Sequence, residues 1–505
     1  MLTNGAPAPA SSGGLWAGVD VGTQSLRVQI IDAAGTVAGR GSGRLTSHRD
    51  TGPDGSRRHE QDPEQWWRVL GAAFRQALAG KAAERVQAVA ICSTSGTFLL
   101  ADADNRPHTM ALMYDDARAD AEAGEVCLAG EARWAALGYP IQPSWALPKL
   151  VWLLRHGPDG LRTAARAGTL RLQHCADHLA ARLVGAPVAT DWSHALKTGF
   201  DLEADAWPTS ILDRLGVPDK LLPPVVRPGS LIGLINAEGA EHTGLPVGVP
   251  VRAGLTDGCA AQVAAGALTP GAWNSVLGTT LVLKGVTSTR IADPGGAVYS
   301  HRHPDGGWLP GGASNVGAGA LEARFPHTDR SGLDAEAARF EPSGGLSYPL
   351  VSRGERFPFV EPGAQAFDIG PFAGEGDRYA AVLQGVAFVE RLCFAYLSRL
   401  GADVTGPVSV TGGATRSLYW TQLRADVLGR DLLVPAQPEP AFGAAVTAAA
   451  GDGPLTATAL KMAGPARTVT PRSDRFQESY QRFLDALNDR GYIDEDLARF
   501  AKGAR

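Results

Sequence analysis

The chain has 505 residues, 44% of them hydrophobic, enough material for two or more domains that each bury a core. Its 47 basic and 52 acidic residues leave a net charge of −5, so nothing draws it generally to nucleic acid or to an anionic membrane, and any phosphate site must be local. The five cysteines (Cys92, Cys127, Cys175, Cys259 and Cys393) are widely spaced with no CxxC pair, which suggests neither a disulfide framework nor a zinc site.

Residues 1–14 lack the basic start and apolar core of a secretory signal and read as a disordered tail. No apolar run reads as long enough to span a bilayer, so the expected location is the cytoplasm. Residues 15–32, LWAGVDVGTQSLRVQIID, read as a hairpin with Asp20 at the end of its first strand. Gly22 in its turn admits backbone N–H groups to an anion, Thr23 and Ser25 add hydroxyls, and Asp20 can face a metal. A plain hairpin needs no such ligand, and only a matching turn would give it one. A third short run at 36–40 follows, then a polar stretch, 47–61, that reads as loop. Asp62-Pro63-Glu64-Gln65 starts a helix, with Asp as cap and Pro in the first turn; it runs through Trp66, Leu70 and Phe74 to Gly80. Residues 86–92 form a buried-type strand. The polar turn 93–97 lies at its carboxyl end, where α/β sheets contact ligands. Helices are expected at 144–156, 176–184 and 210–215.

A domain boundary is placed near Gly254, giving domains of 15–254 and 255–490 and a C-terminal tail of 491–505. Asp257, in AGLTDG, stands directly before a helix at 260–267: it is either a helix cap or a general base for a substrate hydroxyl. Residues 273–283, WNSVLGTTLVL, repeat the opening pattern of β-prone run, Gly-Thr turn and β-prone run. Two such turns, one per half, could hold one polyphosphate between them. Residues 336–375 read as irregular, 378–400 as a long apolar helix, and 408–411 as a strand. Gly412-Gly413-Ala414 follows, either a plain turn or a close backbone approach to a base or ribose. A helix at 418–428, a strand at 432–434 and a small-residue helix at 441–450 complete the series. No P-loop and no dinucleotide-binding glycine motif is present. His174 and His178 are spaced i, i+4 on an expected helix without a third metal ligand. His301 and His303 fall on an expected loop. The alternation of elements in each half fits a duplicated α/β domain.

The ordered set DVGTQS, TDGCAA, LGTT, VTGGATRSLYWTQLRADVLGRDL and AFGAA resembles the FGGY family of carbohydrate kinases over about residues 15–450. The resemblance implies an α/β fold of two ribonuclease H-like (actin-like ATPase) domains, with ATP, Mg²⁺ and a sugar in the cleft between them. It implies Asp257 as catalytic base. Asp20, Gly22, Thr23 and Gln24 match the first phosphate motif, with Asp20 toward both sugar and metal. Gly278, Thr279 and Thr280 match the second, and Gly412, Gly413 and Ala414 the adenosine motif. Where bacterial xylulokinases carry Gly-Gln-Met-His, this chain has Ser93-Thr94-Ser95-Gly96-Thr97. That run, with LMYDDARA at 112–119, is similar to a D-ribulokinase-like branch, which maps a sugar contact onto Ser95. Asp116 and Arg118 match a wider motif near the sugar, or form a structural ion pair. The expectation is an ATP-dependent ketopentose kinase that favours D-ribulose over D-xylulose, with small-molecule partners, no nucleic acid, no membrane and a possible homodimer. The alternatives are a kinase for another ketose, a polyol or glycerol, and an actin-like nucleotide-binding protein without kinase activity.

Overall fold

The computed structural model describes residues 13–81, 83–326 and 330–504. Of the expected N-terminal tail, only Gly13 and Gly14 lie among the described residues, and the Gly13 carbonyl accepts from Arg85 at 2.6 Å.

Two mixed sheets organise the molecule. In the N-terminal sheet the strand order is Leu231–Leu234, Pro250–Arg252, Val86–Ser93, Leu15–Val21, Ser25–Asp32, Val37–Arg44. The opening strand pairs antiparallel with Ser25–Asp32 and parallel with Val86–Ser93. The C-terminal sheet repeats this arrangement: Trp273–Leu277 pairs antiparallel with Leu281–Gly285 and parallel with Val408–Thr411. The two Gly-Thr turns, 22–24 and 278–280, are therefore equivalent places in a duplicated motif. The alternating apolar residues that predicted these strands are the ones buried: Ala17, Val19 and Val21 in one, Leu281 and Leu283 in the other.

The helix Pro63–Leu78 begins as expected, with the Asp62 carboxylate accepting from the Glu64 amide at 2.9 Å. It buries Trp66, Leu70 and Phe74 against the N-terminal sheet. In the second half, Glu375–Arg399 is the central core helix. It is long and apolar enough to span a bilayer, contrary to the expectation that no such run exists, but 89% of its most apolar window is buried inside the protein.

Three other sequence expectations are corrected. The stretch 47–61 is not loop: His48–Thr51 and Arg57–Gln61 form an antiparallel hairpin in a separate five-stranded sheet. Its residues are polar because His48–Thr51 is exposed throughout, so the apolar alternation used to find strands is missing. Residues 491–505 are not a tail: Glu495–Gly503 is a helix, capped by Asp494 and packed through Leu497, Ala498 and Ala501. His301 is not in a loop but in the strand Tyr299–Arg302.

The halves meet through two helices of small residues. Pro440–Ala450, from the second half, crosses Asp257–Ala264 and lies on the Leu15–Val21 strand. The approach is close enough that a Cβ at Gly443 would overlap the Ala260 carbonyl, and one at Gly18 the Ala441 carbonyl.

Candidate active site

Three neighbouring strands of the N-terminal sheet end at one place. Asp20 is the last residue but one of the opening strand. Ser93 ends the adjacent Val86–Ser93 strand, and the chain after Pro250–Arg252 bridges to it at Thr256. Gly254 makes this possible, since a Cβ there would overlap the Ile91 carbonyl oxygen. Asp257 is then the first residue of the helix Asp257–Ala264; the cap position belongs to Thr256, so Asp257 is not spent on capping. Its carboxylate accepts the Gly258 amide at 2.7 Å, and the residue is partly exposed.

Asp257 has its carboxyl raised by burial, a shift opposed by the Gly258 amide, Lys197, His194 and Lys284. Asp20 is raised further, to about 7, by burial and by the charge of Asp257; Arg27, 3.6 Å away, compensates only in part. The charge of one carboxylate thus disfavours ionisation of the other. His194 stands behind Asp257. Burial works against its proton, but Asp191 and more distant carboxylates hold its affinity up. Its Nε2 lies 2.9 Å from Ser93 Oγ.

Buried carboxylates short of counter-charge suit a divalent cation. Among the described residues no three His, Cys, Asp or Glu side chains gather into a cage, so the protein would supply one or two carboxylates at most. That fits Mg²⁺, which usually takes one or two carboxylates and completes its shell with phosphate oxygens and water.

The polar turn after Val86–Ser93 is held from below. Lys149, fully buried, donates to the Gly96 and Met113 carbonyls at 2.9 and 2.6 Å; burial brings its amine down to about 7. Ser95 Oγ is buried without a hydrogen-bond partner among the described residues. Asp116 and Arg118 are engaged with one another: Arg118 Nε and Nη2 donate to the Asp116 carboxylate at 2.8 and 2.7 Å. Asp116 also accepts the His59 amide, and Arg118 pairs with Glu60. The pair braces the loop carrying Met113, whose carbonyl Lys149 holds.

Of the first phosphate motif, Gly22 and Thr23 are half-buried and Gln24 is exposed, its carbonyl taking the Leu45 amide at 2.9 Å. A Cβ at Gly22 would meet only the Ser25 carbonyl, at 3.4 Å, and one at Gly278 only the Thr280 carbonyl, at 4.0 Å. Gly278 and Thr279 line a cavity of about 510 Å³ together with Gly413 and Ala414, so the second phosphate motif and the adenosine motif share one pocket. Thr280 closes the turn and is not part of the lining. Gly412 has φ +89°, and a Cβ there would meet the Leu277 carbonyl at 2.5 Å, so glycine is required. Asp334, on the helix Arg330–Ala337, lines the same pocket and accepts from Tyr379 and Ser417 at 3.0 and 2.7 Å. Sequence reading missed it because it lies beside the glycine-rich stretch, outside any motif.

Lys197, Lys284, Tyr299 and His301 were missed as well. The one signal was Lys284, a lone charge inside the apolar run LVLKG. The His174/His178 pair is no metal site: His174 ends the strand Leu170–His174, bonding Asp177, Thr190 and Thr198, and His178 bonds Gln173. All five cysteines are free, and all but the half-buried Cys127 are buried.

Two duplicated α/β units with a nucleotide-sized pocket in one and a carboxylate pair at the strand ends of the other define a phosphotransferase of the actin-like ATPase fold. Residues 15–264 match the N-terminal domain of the FGGY family of carbohydrate kinases and residues 274–451 its C-terminal domain; the chain belongs to that family. It is 30% identical to a xylulose kinase of Streptomyces rubiginosus over 493 residues, covering 95% of this chain and 97% of that one. It is 31% identical to a xylulose kinase of Streptomyces coelicolor, with the same coverage. The solved structure of a xyloylose kinase from Brucella ovis superimposes with a TM-score of 0.83 at 25% identity, over 95% of this chain and 100% of that one.

Proposed function

We propose that the enzyme transfers the γ-phosphoryl group of ATP to the terminal hydroxyl of a ketopentose. The observation that carries this is the placement of Asp257: a partly exposed carboxylate at the start of a helix, electrostatically coupled to Asp20, in a chain similar along its length to proteins named xylulose kinases. Asp257 would take the proton of the terminal hydroxyl while that oxygen attacks the γ-phosphorus and the bond to ADP breaks. The 22–24 and 278–280 turns would supply amides and hydroxyls to the phosphates, and the pocket with Gly413 and Ala414 would take the adenosine. Mg²⁺, with Asp20 as a ligand directly or through water, would neutralise phosphate charge. Drawing the two halves together would exclude water and limit ATP hydrolysis.

Between ketopentoses we propose D-ribulose over D-xylulose. The support is the run Thr94-Ser95-Gly96-Thr97 and the Ser95 hydroxyl, which has no partner among the described residues and which a sugar oxygen would satisfy. The two sugars differ at C3 only. One hydrogen bond there, or a buried partner left without one, gives a preference of about ten- to a hundredfold. The test is an ADP-release screen over ketopentoses, aldopentoses, pentitols and glycerol. D-ribulose should give the highest kcat/KM, and Ser95→Ala should narrow its lead. A lead for D-xylulose refutes the ribulose assignment, and a lead for glycerol or an aldopentose refutes the ketopentose reading.

A further inference from the structure

Opposite the Ser93–Thr97 turn stands a group of side chains that the mechanism above does not use. Tyr299 is at its centre. The Lys197 amine lies 5.5 Å from its ring centroid and the Lys284 amine 5.9 Å from the same centroid. Trp145 and His301 pack around it at 5.6 and 5.4 Å. Lys284 Nζ is 2.9 Å from His301 Nδ1. His301 is buried between cations and stays neutral, so Nδ1 accepts from the ammonium. Lys284 and His301 are buried, whereas Lys197 and Tyr299 are partly exposed.

The group borders the candidate sugar site on two sides. The Lys197 stem runs beside Gly96, 3.4 Å from where its Cβ would be, next to Ser95. Lys284 lies against Gly258, 3.1 Å from the corresponding point, next to Asp257. Lys197 comes from the N-terminal half, and Lys284, Tyr299 and His301 from the strands that follow the second phosphate turn. What this wall offers a ligand is donors. Lys197 has only N–H groups. The two amines beside Tyr299 draw the lone pairs of its oxygen toward themselves, which favours giving its own proton to a ligand.

We propose that Lys197 and Tyr299 bind an oxygen of the substrate that can only accept, and that the Lys284–His301 pair positions Tyr299 for it. Resting on the ketopentose reading, that oxygen is the ketone carbonyl; a carboxylate of a sugar acid offers the same chemistry. A hydroxyl in its place brings a proton of its own to a wall richer in donors than in acceptors, which is the kind of mismatch on which polar pockets discriminate.

The test compares D-ribulose with ribitol, its reduced counterpart, and with D-ribonate, using wild type, Tyr299→Phe, Lys197→Met and Lys284→Met. Both kcat/KM and sugar binding without ATP are measured, with ATP KM and melting temperature as controls. Wild type should favour D-ribulose over ribitol by tenfold or more. Tyr299→Phe and Lys197→Met should collapse that ratio, chiefly by losing D-ribulose, while ATP KM moves less than twofold. Lys284→Met should narrow it less, and more through kcat than through KM. A ratio unchanged in Tyr299→Phe with native melting overturns the proposal, as does a wild type that binds ketose and pentitol equally. D-ribonate as the best substrate supports the wall and refutes the ketone as its target. A wild type that binds D-ribulose over ribitol but transfers no phosphate supports the wall and refutes the kinase reading.

Discussion

Asp257 is useful as a base because its surroundings pull in both directions. Burial raises its carboxyl, and the Gly258 amide, Lys197, His194 and Lys284 oppose the rise. Asp257→Ala should lower turnover by about 10²–10⁴-fold, the usual contribution of a positioned base. Nucleotide affinity should persist, because the pocket built from Gly278 and Gly413 does not include residue 257. Parallel turnover and calorimetric measurements check both halves; near-native turnover removes Asp257 from the mechanism. The same surroundings set the pH dependence. A raised acid is protonated over more of the acidic range, and the base acts only when ionised. The acid limb of kcat/KM should therefore lie above the ordinary aspartate value of about 3.9, and activity should be lost as pH falls through it. Lys284→Met removes a cation that lowers the Asp257 value, so the limb should move to higher pH; a limb that stays put or moves down contradicts that role. From sequence, Asp20 and Asp257 were legible because each stands in a short motif. Lys197 and Tyr299 were not, because their place at the site follows from tertiary packing alone.

At the scale of elements, apolar periodicity and caps located those that face a core. The opening hairpin, the Pro63–Leu78 helix and the Glu375–Arg399 helix came out with ends within a few residues. Periodicity failed where both faces are polar, as at His48–Thr51, and where a short charged helix closes the chain, as at Glu495–Gly503. It also gave no sign of the buried ion pair that joins three elements of the C-terminal half. Arg424, on Leu418–Leu428, is fully buried and donates to Glu390 through Nε and Nη2, both at 2.8 Å; Nη2 also reaches Ser275 Oγ on Trp273–Leu277 at 2.9 Å. Removing one partner leaves an uncompensated buried charge, so Arg424→Met should cost about 3–5 kcal/mol. Pairing it with Glu390→Gln should recover much of that loss. Urea unfolding of the two variants measures it, and a single variant as stable as wild type shows that the pair is not holding those elements together.

For the whole molecule, duplication was visible in sequence as two Gly-Thr hairpins in matching positions, and the structure places them equivalently in two sheets. How the halves join was hidden, because an Ala- and Gly-rich helix reads the same wherever it packs. Pro440–Ala450 bridges the N-terminal sheet and the helix that begins with Asp257, and its spacing is set by Gly18 and Gly443. The Gly443 contact sits against Ala260, three residues beyond Asp257 on the same helix. A methyl group at 443 cannot fit over the Ala260 carbonyl, so the two helices must separate. Overpacking of this kind typically costs 1–3 kcal/mol, which a protein of this size should survive folded. Catalysis is less tolerant, since a displacement of about 1 Å at the reacting groups is worth about a hundredfold in rate. Gly443→Ala should therefore lower kcat far more than it lowers melting temperature, with ATP affinity little changed because Gly278 and Gly413 both belong to the C-terminal half. Gly453, in the turn just beyond the same helix, is the control: a Cβ there would meet only the Ala450 carbonyl, at 3.0 Å, so Gly453→Ala should leave kcat near native. Equal effects of the two substitutions on kcat would mean that the crossing of these helices does not position the base.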